Sequence, residues 1–139
     1  MTFVTSVTPS PARDLVSALV QVLQNQNGLE FAVLVGSRAN GMAGPGSDWD
    51  IALLWNPQLE WLQMLGQTEF LRSQVASALQ VDTADIDLID LSRANLAMRA
   101  QVAEEGLPLV GEDTLSWSRF LRRTWRELED FYWDKHHAA

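Results

Sequence analysis

The sequence predicts an α/β (α+β) fold. Three observations carry that expectation: a short apolar run at 31–35, a second apolar and aromatic run at 48–55, and helix-periodic segments before, between and after them. After a loosely held start, Ser10-Pro11 opens a helix, because Leu15, Ala18, Leu19, Val22 and Leu23 recur at helical spacing until the stretch 25–28. The run 31–35 then reads as a buried strand ended by Gly36-Ser37, with a short helix in the small-residue segment 38–44. Gly44-Pro45-Gly46-Ser47 is a turn, and 48–55 is the second strand, stopped by Asn56-Pro57. A long helical segment from about 59 to 80 presents Leu62, Leu65, Phe70, Leu71, Val75 and Leu79, with a break expected near Gly66. That helix is a crossover to a third strand at 84–91, in which Asp85, Asp87 and Ile89 alternate with Ile86, Leu88 and Asp90. Ser92 to Asn95 lead a helix to Gly106, followed by an edge strand at 107–110, since Pro108 cannot donate to a ladder. A terminal helix spans 114–135, where Trp117, Leu121, Trp125, Leu128 and Tyr132 line one stripe, which is expected to cover the sheet or to leave part of itself as a docking surface.

The chemistry concentrates between 36 and 50. Glycine at 36 permits close approach of backbone to a ligand, the Ser37 hydroxyl can donate to a phosphate oxygen, and amides at a helix start favour an anion. Ten residues later come Asp48 and Asp50, two apart on a strand and therefore on one face. Adjacent carboxylates on an apolar strand repel each other unless a cation sits between them, and magnesium, a hard ion bound by carboxylates and substrate phosphates, suits that place. Asp87, in the middle of the third strand, is the best candidate for a third ligand. Asp82, Asp85 and Asp90 are assigned structural roles, and Glu104 and Glu105 are solvated.

Gly36-Ser37, the ten-residue spacer, Asp48-Trp49-Asp50 and the later strand with Asp87 together resemble the polymerase-beta-type nucleotidyltransferase superfamily, and specifically its minimal nucleotidyltransferase (MNT) branch. The resemblance implies a small mixed sheet flanked by helices, two Mg2+ ions, ATP as substrate, and transfer of a nucleoside monophosphate to an acceptor hydroxyl. Many MNT proteins are antitoxins paired with a HEPN-domain ribonuclease toxin, in which they adenylylate a tyrosine hydroxyl. Carried over, Asp48, Asp50 and Asp87 match the catalytic, metal-binding aspartates. Gly36 and Ser37 match the triphosphate-binding pair, and Arg38 matches the basic position after the serine. Two alternatives stay open: transfer to a small molecule, or an antitoxin acting by binding alone.

The whole chain bounds these expectations. Its 139 residues suit a single domain, 1–139, with 47% apolar and 20% charged residues. No run approaches a membrane span and no signal-peptide pattern opens the chain, so a cytoplasmic protein without membrane attachment is expected. Zero cysteines and only two histidines, His136 and His137, exclude disulfides, thiolate metal sites and Ser-His catalysis. A net charge of −8 disfavours DNA as a partner. Arg119, Arg122, Arg123 and Arg126 form either a solvated basic face or a contact to the partner or a nucleotide tail. Oligomeric state is left open.

Overall fold

A computed structural model describes residues 11–137; the expected loose start and Ser10 lie outside the described residues. Helix α1 (Pro11–Gln24) leads to strand β1 (Leu29–Val35), the one-turn helix α2 (Ser37–Asn40) and strand β2 (Trp49–Trp55). Helix α3 (Trp61–Leu79) and a 3-10 turn (Thr83–Asp85) then bring the chain to β3 (Ile86–Asp90), followed by α4 (Leu96–Glu105), β4 (Leu107–Val110) and α5 (Leu115–His137). The four strands form one sheet in the order β3-β2-β1-β4. Strand β1 pairs antiparallel with β2 and with β4, whereas β2 and β3 are parallel across the α3 crossover, so the sheet is mixed. Strand β4 lies at an edge, where Pro108 is tolerated.

Alternation along the strands sorts the core into two layers. Ala32, Leu34, Trp49, Ile51, Leu53 and Ile86 face α1 and α3, meeting Leu19, Leu23, Leu71 and Val75. Phe31, Val33, Val35 and Ala52 face α4 and α5, meeting Val102, Trp117 and Phe120. Phe31 is fully buried, with ring centroids 5.0 Å from Trp117 and 5.4 Å from Phe120. Burial of one such side chain contributes about 1.5–3 kcal/mol, which fixes the start of α5 on the sheet.

Several boundaries differ from the sequence-based expectation, each for a physical reason. Helix α3 runs unbroken through Gly66, because Leu71, Val75, Ala76 and Leu79 anchor it, and that burial outweighs a glycine's lower helix propensity. Gly66 is exposed, and a β-carbon there would meet nothing within 4 Å. Gly66→Ala is therefore expected to stabilise the fold by about 0.5–1 kcal/mol, measured by denaturant titration. Strand β3 begins at Ile86, since Asp82 accepts from the Ala84 amide at 2.9 Å and closes the 3-10 turn that contains Asp85. Asp90 accepts from the Ser92 amide at 3.0 Å and hydroxyl at 2.7 Å, and Asn95 accepts from the Met98 amide at 2.9 Å as the cap of α4. Asp82 and Asp90 thus have the structural roles expected of them.

Helix α5 buries Trp117 of the stripe anticipated from sequence, together with Phe120 and Thr124 next to it. Trp125 and Tyr132 of that stripe are exposed, as are Phe131 and Trp133. The helix outruns the sheet, so its first turns belong to the core and its last turns do not. Arg99 of α4, only 8% exposed, holds the middle of α5 through an ion pair with Glu127 and also donates to the Ala94 carbonyl. The Arg99 hydrogen bond holds the Glu127 carboxyl below its ordinary value. A depressed carboxylate contributes stability above its unfolded value of 4.5 that is lost as pH falls through the lower folded value. Glu127→Gln is accordingly expected to melt at lower temperature than the parent near neutral pH, with the difference closing in acid below that value.

Candidate active site

The end of β1 and the beginnings of β2 and β3 meet at one place on the sheet. Val35 is the register partner of Asp50, and Asp50 is the register partner of Asp87. Residues paired directly across a ladder point to the same face, so the Asp50 and Asp87 side chains stand together. That face is the one carrying Val35 and Ala52. Asp50 is half-buried, Asp87 is exposed, and Asp48 is exposed just ahead of β2. The expectation that Asp48 lies within the strand is thereby corrected: the turn 44–47, closed by Ser47 and Gly44, ends too close for Asp48 to join the ladder.

Burial first, and then the charges of Asp87 and Asp48, push the Asp50 carboxyl above its ordinary value of 3.8. Mutual repulsion of this kind is what a bound cation relieves. The donor set consists of hard carboxylate oxygens, the type that magnesium takes. No three acidic or imidazole side chains among the described residues converge into a finished metal cluster. The chemistry of the donors fits a divalent cation.

Gly36 follows Val35 directly and has φ 74° and ψ −158°, a backbone region essentially restricted to glycine. A β-carbon at this position would lie 2.5 Å from Asp50 Oδ2. The glycine therefore does more than admit a ligand, because it leaves room for the carboxylate behind it. Ser37 opens α2, with the Gly36 carbonyl accepting from the Ala39 amide at 3.0 Å. Arg38 turns away from this face: its Nε and Nη2 donate to the Ser47 carbonyl at 3.3 and 2.8 Å, and its guanidinium lies 4.3 Å over the Trp49 ring. Neither the Trp49 platform nor the Arg99–Glu127 pair has a local sequence signal, because each joins residues on different elements.

Two grooves lie away from the carboxylates. One of about 750 Å³ runs between α4 and α5, lined by Leu96, Ala100, Leu128, Phe131 and Tyr132 with Glu104 and Glu105 alongside. Another of about 360 Å³ lies at the far end of β2, beside Trp61 and the stacked Arg93.

A mixed sheet with a glycine turn leading to paired carboxylates, and a further carboxylate on the adjoining parallel strand, defines a nucleotidyl-transfer palm. Residues 17–115 match the model of the family described as polymerase beta, nucleotidyltransferase, and the chain belongs to that family. It is a nucleotidyltransferase with the fold of the MNT antitoxins. Similar solved structures include a toxin–antitoxin complex with AMP-PNP, 26% identical, with a TM-score of 0.66 and coverage of 87% of this chain and 92% of that one. A MntA-HpeT toxin–antitoxin mutant is 24% identical, with a TM-score of 0.67 and the same coverages of 87% and 92%. The MNT antitoxin with a tri-AMPylated HEPN toxin of Shewanella oneidensis is 23% identical, with a TM-score of 0.63 and coverages of 90% and 92%. Among curated proteins, none matches the chain in sequence. No helix among the described residues is long and apolar enough to cross a membrane.

Proposed function

We propose that this chain is a protein adenylyltransferase antitoxin, a single minimal domain that transfers AMP from ATP to a tyrosine hydroxyl of a partner HEPN ribonuclease and so neutralises it. The observation that carries this is the alignment of Asp50 with Asp87 beside Gly36, in a chain whose fold is shared with toxin–antitoxin complexes. Gly36 and the Ser37 hydroxyl hold the triphosphate against the start of α2. Asp48, Asp50 and Asp87 are the residues that would hold two magnesium ions. Magnesium there supplies stabilisation of both the attacking and the leaving oxygen in an in-line displacement. The acceptor oxygen forms a bond to the α-phosphorus as the bond to the bridging oxygen breaks, and pyrophosphate departs. Exposed Asp87 takes the acceptor proton, since it stands at the strand edge that an incoming hydroxyl reaches.

The partner's place is the exposed end of α5 and its groove with α4. Phe131, Tyr132 and Leu128 there supply aromatic and apolar anchors of the kind that dominate protein interfaces. That same surface favours the second reading, an antitoxin that works by binding alone. Incubation with magnesium, α-labelled ATP and the product of the neighbouring gene separates the two. Label on a partner tyrosine, lost when that tyrosine becomes phenylalanine, is the expected result. Tight association without label sinks the enzymatic reading, and label on a small molecule moves the acceptor elsewhere.

A further inference from the structure

We propose that Arg38 is a positioning residue for Asp48 and not a ligand of the nucleotide phosphates; this rests on the assignment of Asp48 to the transfer site made above. Asp48 lies outside the sheet. The β2 ladder begins at Trp49 with Ile86 on one side and at Asp50 with Val35 on the other, so no strand pairing fixes Asp48 itself. Its two chain neighbours are fixed instead, and Arg38 grips both. The Ser47 carbonyl accepts both guanidinium hydrogen bonds, and the buried Trp49 ring, 2% exposed, carries the guanidinium on its face. Trp49 alternates with Asp50, so its ring belongs to the layer packed against α1 and α3, on the opposite side of β2 from the carboxylates. An arginine committed to that ring is behind the strand, and it forms no ion pair among the described residues.

The arrangement ties the glycine turn to the carboxylate pair. Arg38 is one residue beyond Ser37, and through Ser47 and Trp49 it sets the distance between the triphosphate-binding turn and Asp48. A planar fork that donates twice to one carbonyl while stacking on an indole is specific to arginine; a lysine ammonium can do only part of this. A phosphate contact makes the opposite demand, because lysine serves there as a point charge.

Arg38→Lys and Arg38→Gln separate the two roles. In the metal-free protein, both variants are expected to speed amide hydrogen exchange across 44–50 while protection of β1 stays at the parent level. Binding of AMP-PNP in the presence of chelator stays unchanged. The magnesium concentration giving half-maximal transfer rises roughly 10- to 100-fold in both, the range found when groups that orient metal ligands are removed. Parent-like exchange in both variants, or a lysine variant that matches the parent while the glutamine variant loses AMP-PNP binding, overturns the proposal. Should the glutamine variant fail to fold, the lysine variant decides by the same exchange and magnesium readouts. Undiminished transfer by Asp48→Asn would instead remove the functional assignment, and the exchange result would still report whether Arg38 holds the 44–50 segment.

Discussion

Asp50→Asn is expected to abolish nucleotidyl transfer while making the metal-free protein more resistant to heat. The loss should reach at least about 10³-fold, the upper end for removing one charge-stabilising group from a preorganised site. The gain in stability has a separate cause. Asp50 is half-buried beside two like charges, and its carboxyl is pushed above the ordinary value of 3.8. A carboxyl whose folded value is raised contributes stability fully below the unfolded value, and that contribution disappears as pH rises through the folded one. Near neutral pH the parent therefore carries a repulsion that asparagine lacks. Thermal melts in chelator should place the variant above the parent near pH 7, with the gap closing in acid. Added magnesium and AMP-PNP should reverse that order, because only the parent retains the full carboxylate set. Asp48→Asn is expected to lose transfer equally with a smaller change in melting, since Asp48 is exposed and outside the ladder. Undiminished transfer by either variant would count against the site.

Gly36→Ala is expected to damage both fold and activity, for two independent reasons. At φ 74° and ψ −158° an alanine is strained by about 1–3 kcal/mol. Its β-carbon would also stand 2.5 Å from Asp50 Oδ2, so the carboxylate must rotate or the turn must shift. The strain should appear as a lower melting temperature, about 2–4 °C for each kcal/mol in a chain of this size. Transfer should fall well beyond what the residual folded fraction explains, because the displaced carboxylate belongs to the site. Full activity at a temperature where Gly36→Ala is wholly folded would show that the close approach of Gly36 to Asp50 is dispensable.

Much of this site was legible without a structure. Gly36, Ser37, Asp48 and Asp50 lie within fifteen residues, and their chemistry follows from local rules: a glycine turn after an apolar run, and carboxylates two apart. Asp87 was legible as an acidic residue inside an apolar strand, although its alignment with Asp50 depends on the parallel β2–β3 register. The expected break at Gly66 failed because propensity is a weak prior against the buried positions of α3. For α5, periodicity gives a helix with a broad apolar stripe, and packing against Phe31 makes core of its start at Trp117 and the neighbouring Phe120. Arg38 illustrates the same limit. Its place after Ser37 suggests phosphate, whereas its contacts are with Ser47 and Trp49, nine and eleven residues away.

The sequence by itself determined the order of strands and helices, the glycine turn, the acidic residues and the family, because these depend on backbone preferences and side-chain chemistry over short stretches. Only the tertiary structure decided that Asp87 stands beside Asp50, how far the core reaches along α5, and what Arg38 holds. Those outcomes are set by strand register and by competition for buried surface between residues far apart in the chain, and no local pattern encodes them.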